Sequence, residues 1–136
     1  NQKWNSGPGN WEVWRSKFVS GDFNGDGRTD IGAFYAYNDG LTRLFVWTAT
    51  PTGFTTSVAW DSGVGNWDGT RSRFVTGDFD GDGRTDIGGF YDYGGANTSL
   101  FVWTATPTGF TQSLKWNSGP GNWDMGRTTL VRPYHE

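Results

Sequence analysis

Cysteine is absent and histidine occurs once, at position 135. The first absence excludes disulfides and thiolate metal sites. The second leaves no material for a multi-histidine zinc site or a Ser-His-Asp triad. Hydrophobic residues make up only 34% of the chain, and 9 Trp, 10 Phe and 5 Tyr supply much of that share. A helical bundle draws on Leu, Ala, Glu and Lys, so this composition argues against one. Disordered chains are poor in aromatics, so disorder is equally unexpected. No apolar run approaches the ~18 residues of a membrane span. The 136 residues are enough for a single domain, expected over 1–136. No leader segment is visible, and Asn1 reads as a processed or excised end.

Basic excess is also missing. The net charge is 11 − 14 = −3, which does not suggest a nucleic-acid partner. Seven of the fourteen acids (Asp22, Asp26, Asp30, Asp78, Asp80, Asp82 and Asp86) fall in two nine-residue windows. Without those seven the balance is 11 − 7 = +4, so the negative charge is local.

The concentration follows from repetition. WNSGPGNW begins at Trp4, returns as WDSGVGNW at Trp60, and recurs as WNSGPGNW at Trp116. Residues 4–59 and 60–115 are identical at 38 of 56 aligned positions, and a third, partial unit covers 116–136. Such self-similarity is the signature of a repeat architecture.

Each unit reads as four strands and no helix. The first unit places them at Ser16–Phe23, Asp30–Tyr37, Thr42–Thr48 and Phe54–Trp60; the second at 72–79, 86–93, 98–104 and 110–116. Gly, Asn, Asp and Pro punctuate every junction, as hairpins require. FYAY and LFVW are apolar at successive positions, so both faces of these strands are apolar and both expect cover. Small four-stranded sheets covered on both sides suggest the blades of an all-β propeller. A closed propeller needs about four to eight blades. This chain offers two, with the tail of a preceding blade at residues 1–6 and the first strand of a following one at 127–131. Closure is expected either by self-association or by the remaining blades of a longer parent chain.

The acidic windows share one spacing, D-x-[DN]-x-D-G-x-x-D. They comprise Asp22, Asn24, Asp26, Arg28 and Asp30, then Asp78, Asp80, Asp82, Arg84 and Asp86. Alternate positions one, three and five converge on a point, the glycine at six permits a sharp turn, and position seven offers its backbone carbonyl. Hard oxygen donors in this number suit Ca²⁺, and two ions per chain are expected. The twelfth position is Ala33 or Gly89, not the glutamate of an EF-hand, and the flanks read as strands. The bland alternative is an Asp/Gly turn without metal. No nucleophile or phosphate-binding loop accompanies the carboxylates, so a structural ion is expected and catalysis is not.

GDFNGDGRTDIGAF and GDFDGDGRTDIGGF resemble FG-GAP (VCBS-type) repeats, the blades of integrin alpha-subunit propellers and of secreted bacterial propellers that include lectins. The resemblance implies a propeller, a Ca²⁺ loop between the first two strands of each blade, and a secreted, extracellular setting. It places ligands at Asp22, Asn24, Asp26, Arg28 (through its backbone) and Asp30, and at their second-unit counterparts. The third unit has Tyr134 and Glu136 at the first and third ligand positions, so no ion is expected there.

Three Trp loops join successive units. Asn10, Trp11 and Glu12 recur as Asn66, Trp67 and Asp68 and as Asn122, Trp123 and Asp124. An indole face beside a carboxylate and an amide is suited to a sugar, which stacks its C–H face and offers its hydroxyls. Relatives implied by the resemblance bind sugars between blades. The competing reading packs these indoles into the inter-blade core. Two functions therefore stand side by side: a carbohydrate-binding, lectin-like module, or a non-catalytic structural or protein-interaction propeller, such as the appendage of a secreted enzyme. A glycosidase would need two carboxylates at a set separation, and half of the acids are committed to the loops.

Overall fold

A computed structural model describes residues 2–131. Eight strands run in order: β1 Ser16–Gly21, β2 Asp30–Ala36, β3 Thr42–Thr50, β4 Gly53–Asp61, β5 Ser72–Gly77, β6 Asp86–Gly94, β7 Asn97–Thr106 and β8 Gly109–Asn117. They form two four-stranded sheets, each in sequence order. Every neighbouring pair is antiparallel. The fold is all-β, as expected. Both sheets carry the same irregularity, a register shift at Leu44/Phe45 in one and at Leu100/Phe101 in the other. The repeat therefore extends to local distortion of the ladder.

Two features differ from the sequence reading. Short 3-10 turns lie at Val13–Arg15, Gly69–Arg71 and Met125–Arg127, directly before the first strand position of each unit. Two of them are nucleated by an aspartate: Asp68 accepts from Thr70 N and Asp124 from Gly126 N. Such local side-chain acceptors compete with extended backbone. The strand expected at 127–131 is not formed, and residues 2–6 are likewise irregular. A strand needs a ladder partner for its backbone groups, and neither segment has a second strand beside it. Tyr134 and Glu136 lie outside the described residues.

The two sheets pack face to face through aromatic rings. Phe34 of β2 stacks on Phe74 of β5, with centroids 3.9 Å apart and planes 4° apart. Phe23 meets Phe110 at 5.6 Å, and Trp60 meets Trp103 edge-on at 5.2 Å. Burial of each ring contributes roughly 1.5–3 kcal/mol, which is what holds sheets this small together. Polar links cross the same junction. Lys17 Nζ donates to the Ser72 carbonyl, and burial together with the nearby Arg73 charge holds its ammonium below the usual lysine range. Asp22 N donates to Thr85 Oγ1 at 3.0 Å, and Thr85 N donates back to Asp22 O at 2.8 Å. The approach requires glycine at position 21, where a Cβ would lie 2.4 Å from Thr85 Cγ2.

Strand direction sorts the loops. The acidic segments join β1 to β2 and β5 to β6 on one rim, beside the tight turns that precede β4 and β8. The Trp loops and the segments that precede β3 and β7 occupy the opposite rim, where Trp67 N donates to Gly40 O at 3.0 Å.

Candidate functional sites: acidic loops and the Trp rim

The acidic loops are wound by their own carboxylates. Asp22 Oδ1 accepts from Gly25 N and Asp26 N, and Oδ2 from Gly27 N at 2.8 Å. Asp78 repeats this with Gly81, Asp82 and Gly83. Gly27 and Gly83 take φ of 88° and 87°, a left-handed turn that a side chain would strain. Asp26 and Asp82 accept from the backbone of Arg28 and Arg84, which holds both carboxyls below the usual range, and their guanidinium groups add contacts at 3.3 and 3.1 Å.

Asp30 and Asp86 play a role that the spacing alone does not reveal. Both are buried at the start of a strand. Asp30 accepts from Phe23 N at 3.0 Å and from Ala49 N at 2.8 Å, and Asp86 from Phe79 N and Ala105 N, both at 2.8 Å. Each therefore ties its loop to the end of the third strand. Desolvation, partly offset by those N–H groups, raises the Asp30 carboxyl above the ordinary range. A carboxylate oxygen has two lone pairs, so each oxygen keeps one free for a cation.

Ligand atoms of Asp78, Asp80 and Asp86 all lie within 4.8 Å of one another. Asp80 is held above the ordinary carboxylate range, first by desolvation and then by the Asp86 and Asp82 charges. Crowded hard oxygens of this kind fit a Ca²⁺-type cation. In the first loop Asn24 stands at the Asp80 position, so that loop presents one charge fewer.

On the opposite rim the three Trp loops are braced alike. Asn10, Asn66 and Asn122 donate Nδ2 to the carbonyls of Ser6, Ser62 and Ser118 at 2.8, 2.9 and 2.9 Å. Trp67 is 5% exposed. It meets Trp60, Tyr91, Phe101 and Trp103 edge-on and donates Nε1 to Ser72 Oγ at 2.9 Å. Its ring faces are thus covered, and full stacking on a sugar, as the sequence suggested, is not open to it. Trp11 packs the same way on Tyr35, Phe45 and Trp47. Trp123 meets Trp116 and remains more open. Glu12 pairs with Arg15 at 2.8 Å, while Asp68 and Asp124 pair with Arg71 and Arg127 at 3.8 Å.

A groove of about 410 Å³ opens beside the second loop. It brings together Asn66, Trp67 and Asp68 with Arg71, which recurs at the same spacing after each Trp loop as Arg15 and Arg127 and was a candidate donor on that ground, and adds Tyr91 and Tyr93, which the repeat did not suggest. Gln112 also lines it. The recurrence of Tyr37 as Tyr93 at the rim end of the second strand was the available signal.

Meandering four-stranded sheets, packed face to face and joined end to start, are propeller-type blades. The model of the FG-GAP-like repeat matches residues 22–88, from the first acidic loop through the second. Residues 22–88 thus carry FG-GAP-like repeat sequence, and the two sheets are propeller-type blades. Such modules serve interaction and are typically non-catalytic. No curated protein matches the chain. Among the described residues no helix is long and apolar enough to cross a membrane.

Proposed function

We propose that the chain is a secreted, Ca²⁺-stabilised interaction module that binds carbohydrate in the groove on its Trp rim. The supporting observation is that Asn66 and Asp68 converge there with Arg71 and the exposed Tyr93 over an aromatic floor. A concavity with an aromatic floor and a few polar and charged groups at its edge is the general form of a sugar site, and its volume suits one small ring system. In this reading Trp67 builds the floor, and Tyr93 supplies the exposed ring. A screen of immobilised glycans tests it: wild type should retain a glycan, Tyr93→Ala and Asp68→Asn should weaken retention, and both variants should melt like wild type. No retention by wild type on any glycan would overturn the sugar assignment.

The burial of Trp67 favours a second reading, in which the same rim contacts a protein. Loss of a protein partner on Tyr93→Ala, with no glycan retained by wild type, would select it.

The cation belongs to the same proposal. Asp22, Asn24, Asp26, Asp30 and the Arg28 carbonyl would hold one Ca²⁺, and Asp78, Asp80, Asp82, Asp86 and the Arg84 carbonyl a second. Chelation should lower the melting temperature and millimolar Ca²⁺ should restore it. A melt indifferent to chelation, with metal loss verified, would remove the ion from the account.

A further inference from the structure

The junction between the blades has two halves, and the repeat makes a second copy of each. Phe23, Phe34 and Trp60 form the trailing half on the first blade; Phe74, Trp103 and Phe110 form the leading half on the second. One unit later the trailing half recurs as Phe79, Phe90 and Trp116. One unit earlier the leading half recurs as Phe18, Trp47 and Phe54. Residue types are unchanged at all six positions. Among the described residues no blade stands against the duplicates: Phe18 is 54% exposed and Phe79 is 53% exposed, whereas Phe23 at the junction is 5% exposed.

Both ends of the described chain are already shaped for continuation. Trp4 sits on Trp47 at 5.2 Å and 84°, the separation and tilt at which Trp60 sits on Trp103. Arg73 Nη1 donates to the Thr128 carbonyl just as Lys17 donates to that of Ser72, one unit before. Trp123 Nε1 reaches Thr128 Oγ1 as Trp67 Nε1 reaches Ser72 Oγ. The first segment thus holds the place of a preceding blade's last strand, and the last segment marks where a following blade's first strand starts.

We propose that the trailing face of one copy of this chain docks on the leading face of a second copy, reproducing the internal junction, with incoming Trp116 replacing Trp4 on Trp47. The covalent junction is the template, and the two faces complement each other rather than themselves. The contact is therefore head to tail, and it closes a ring or continues as a row according to the angle between blades. About four to eight blades close a propeller, and each copy of the described blades supplies two of them.

Complementary variants of the full chain test this. Sedimentation of wild type should show a mass of two or more copies. Phe18→Asp spoils the leading face and Phe79→Asp the trailing face; each side chain is already exposed, so both variants should keep the wild-type circular dichroism spectrum. Each alone should sediment as a monomer. An equimolar mixture should recover a species of two chains, because one variant keeps each half of the junction. A monomeric wild type, a single variant that associates as wild type does, or a mixture that stays monomeric would each overturn the proposal.

Discussion

Trp67 and Trp123 sit in the same loop sequence, donate Nε1 to a hydroxyl five residues on, and meet the tryptophan that closes the preceding strand. Yet Trp67 is 5% exposed and Trp123 is 44% exposed. The difference comes from the strands on the C-terminal side of each loop. After Trp67 come β6 and β7, which supply Tyr91, Phe101 and Trp103; after Trp123 the described chain supplies no such sheet. In a repeat protein the burial of a residue is thus a property of its neighbour's presence, because each unit contacts only the next.

The largest expected effect tests this pair directly. Trp67→Ala should cost roughly 3–5 kcal/mol, the usual loss for a buried indole. Trp123→Ala, which leaves a site already open, should cost about 1 kcal/mol or less. Chemical denaturation of the two variants side by side measures both. Equal losses would mean that the third loop is covered in solution.

The two acidic loops give the next contrast. If the proposed Ca²⁺ sites bind at about 10⁻⁴–10⁻³ M, as extracellular calcium modules do, millimolar ion should add about 0.4–1.4 kcal/mol for each site filled. The second loop, with Asp80 in place of Asn24, should fill first in a calorimetric titration. Asp80→Asn should then make the two loops bind alike.

A smaller effect separates Thr85 from Thr29, which occupies the same position one unit earlier. Thr85 exchanges two hydrogen bonds with Asp22 across the junction, whereas Thr29 is exposed. Thr85→Val should cost about 1 kcal/mol in a denaturant melt. The same change at Thr29 should cost nothing measurable.

The smallest contrast is between the cross-strand pairs near the Trp rim. Arg43 Nε contacts Asp61 Oδ2 at 2.6 Å, while the second blade has Asn117 Nδ2 donating to Ser99 Oγ at the same distance. The Arg43 hydrogen bond, reinforced by Gly63 N, depresses the Asp61 carboxyl. A depressed carboxyl contributes stability above its unfolded value, and that contribution is lost as pH falls through the folded value. Both groups are solvent-exposed, so the change is modest. Asp61→Asn should flatten the acid limb of melting temperature against pH, and Asn117→Ala should leave that limb as it is.

The strands were legible in the sequence because apolar runs bounded by Gly, Asp and Pro have a direct physical meaning, and all eight were found within a few residues of their expected bounds. The blade-type packing was legible from FYAY and LFVW, whose two apolar faces demanded cover. What escaped was non-local. Nothing in the order of residues says that Thr85 would reach Asp22, or that Asp30 would spend its oxygens on Phe23 N and Ala49 N. The indole of Trp67 carried no mark to separate a floor from a platform, since both uses need the same ring. The missing strand at 127–131 failed for want of a ladder partner, a property of the surroundings and not of Thr-Thr-Leu-Val.

The placement of the acidic and Trp loops on opposite rims also sorts charge. On the Trp rim Glu12, Asp61, Asp68 and Asp124 each face an arginine. On the other rim seven loop carboxylates face only Arg28 and Arg84. Among the described residues this sets up a dipole along the strands, negative at the loop end, which two divalent ions in the proposed sites would largely cancel. The field of an anionic surface would exert a torque on such a dipole, turning the acidic rim outward and the groove toward the surface, so filling the proposed ion sites would change orientation as well as stability.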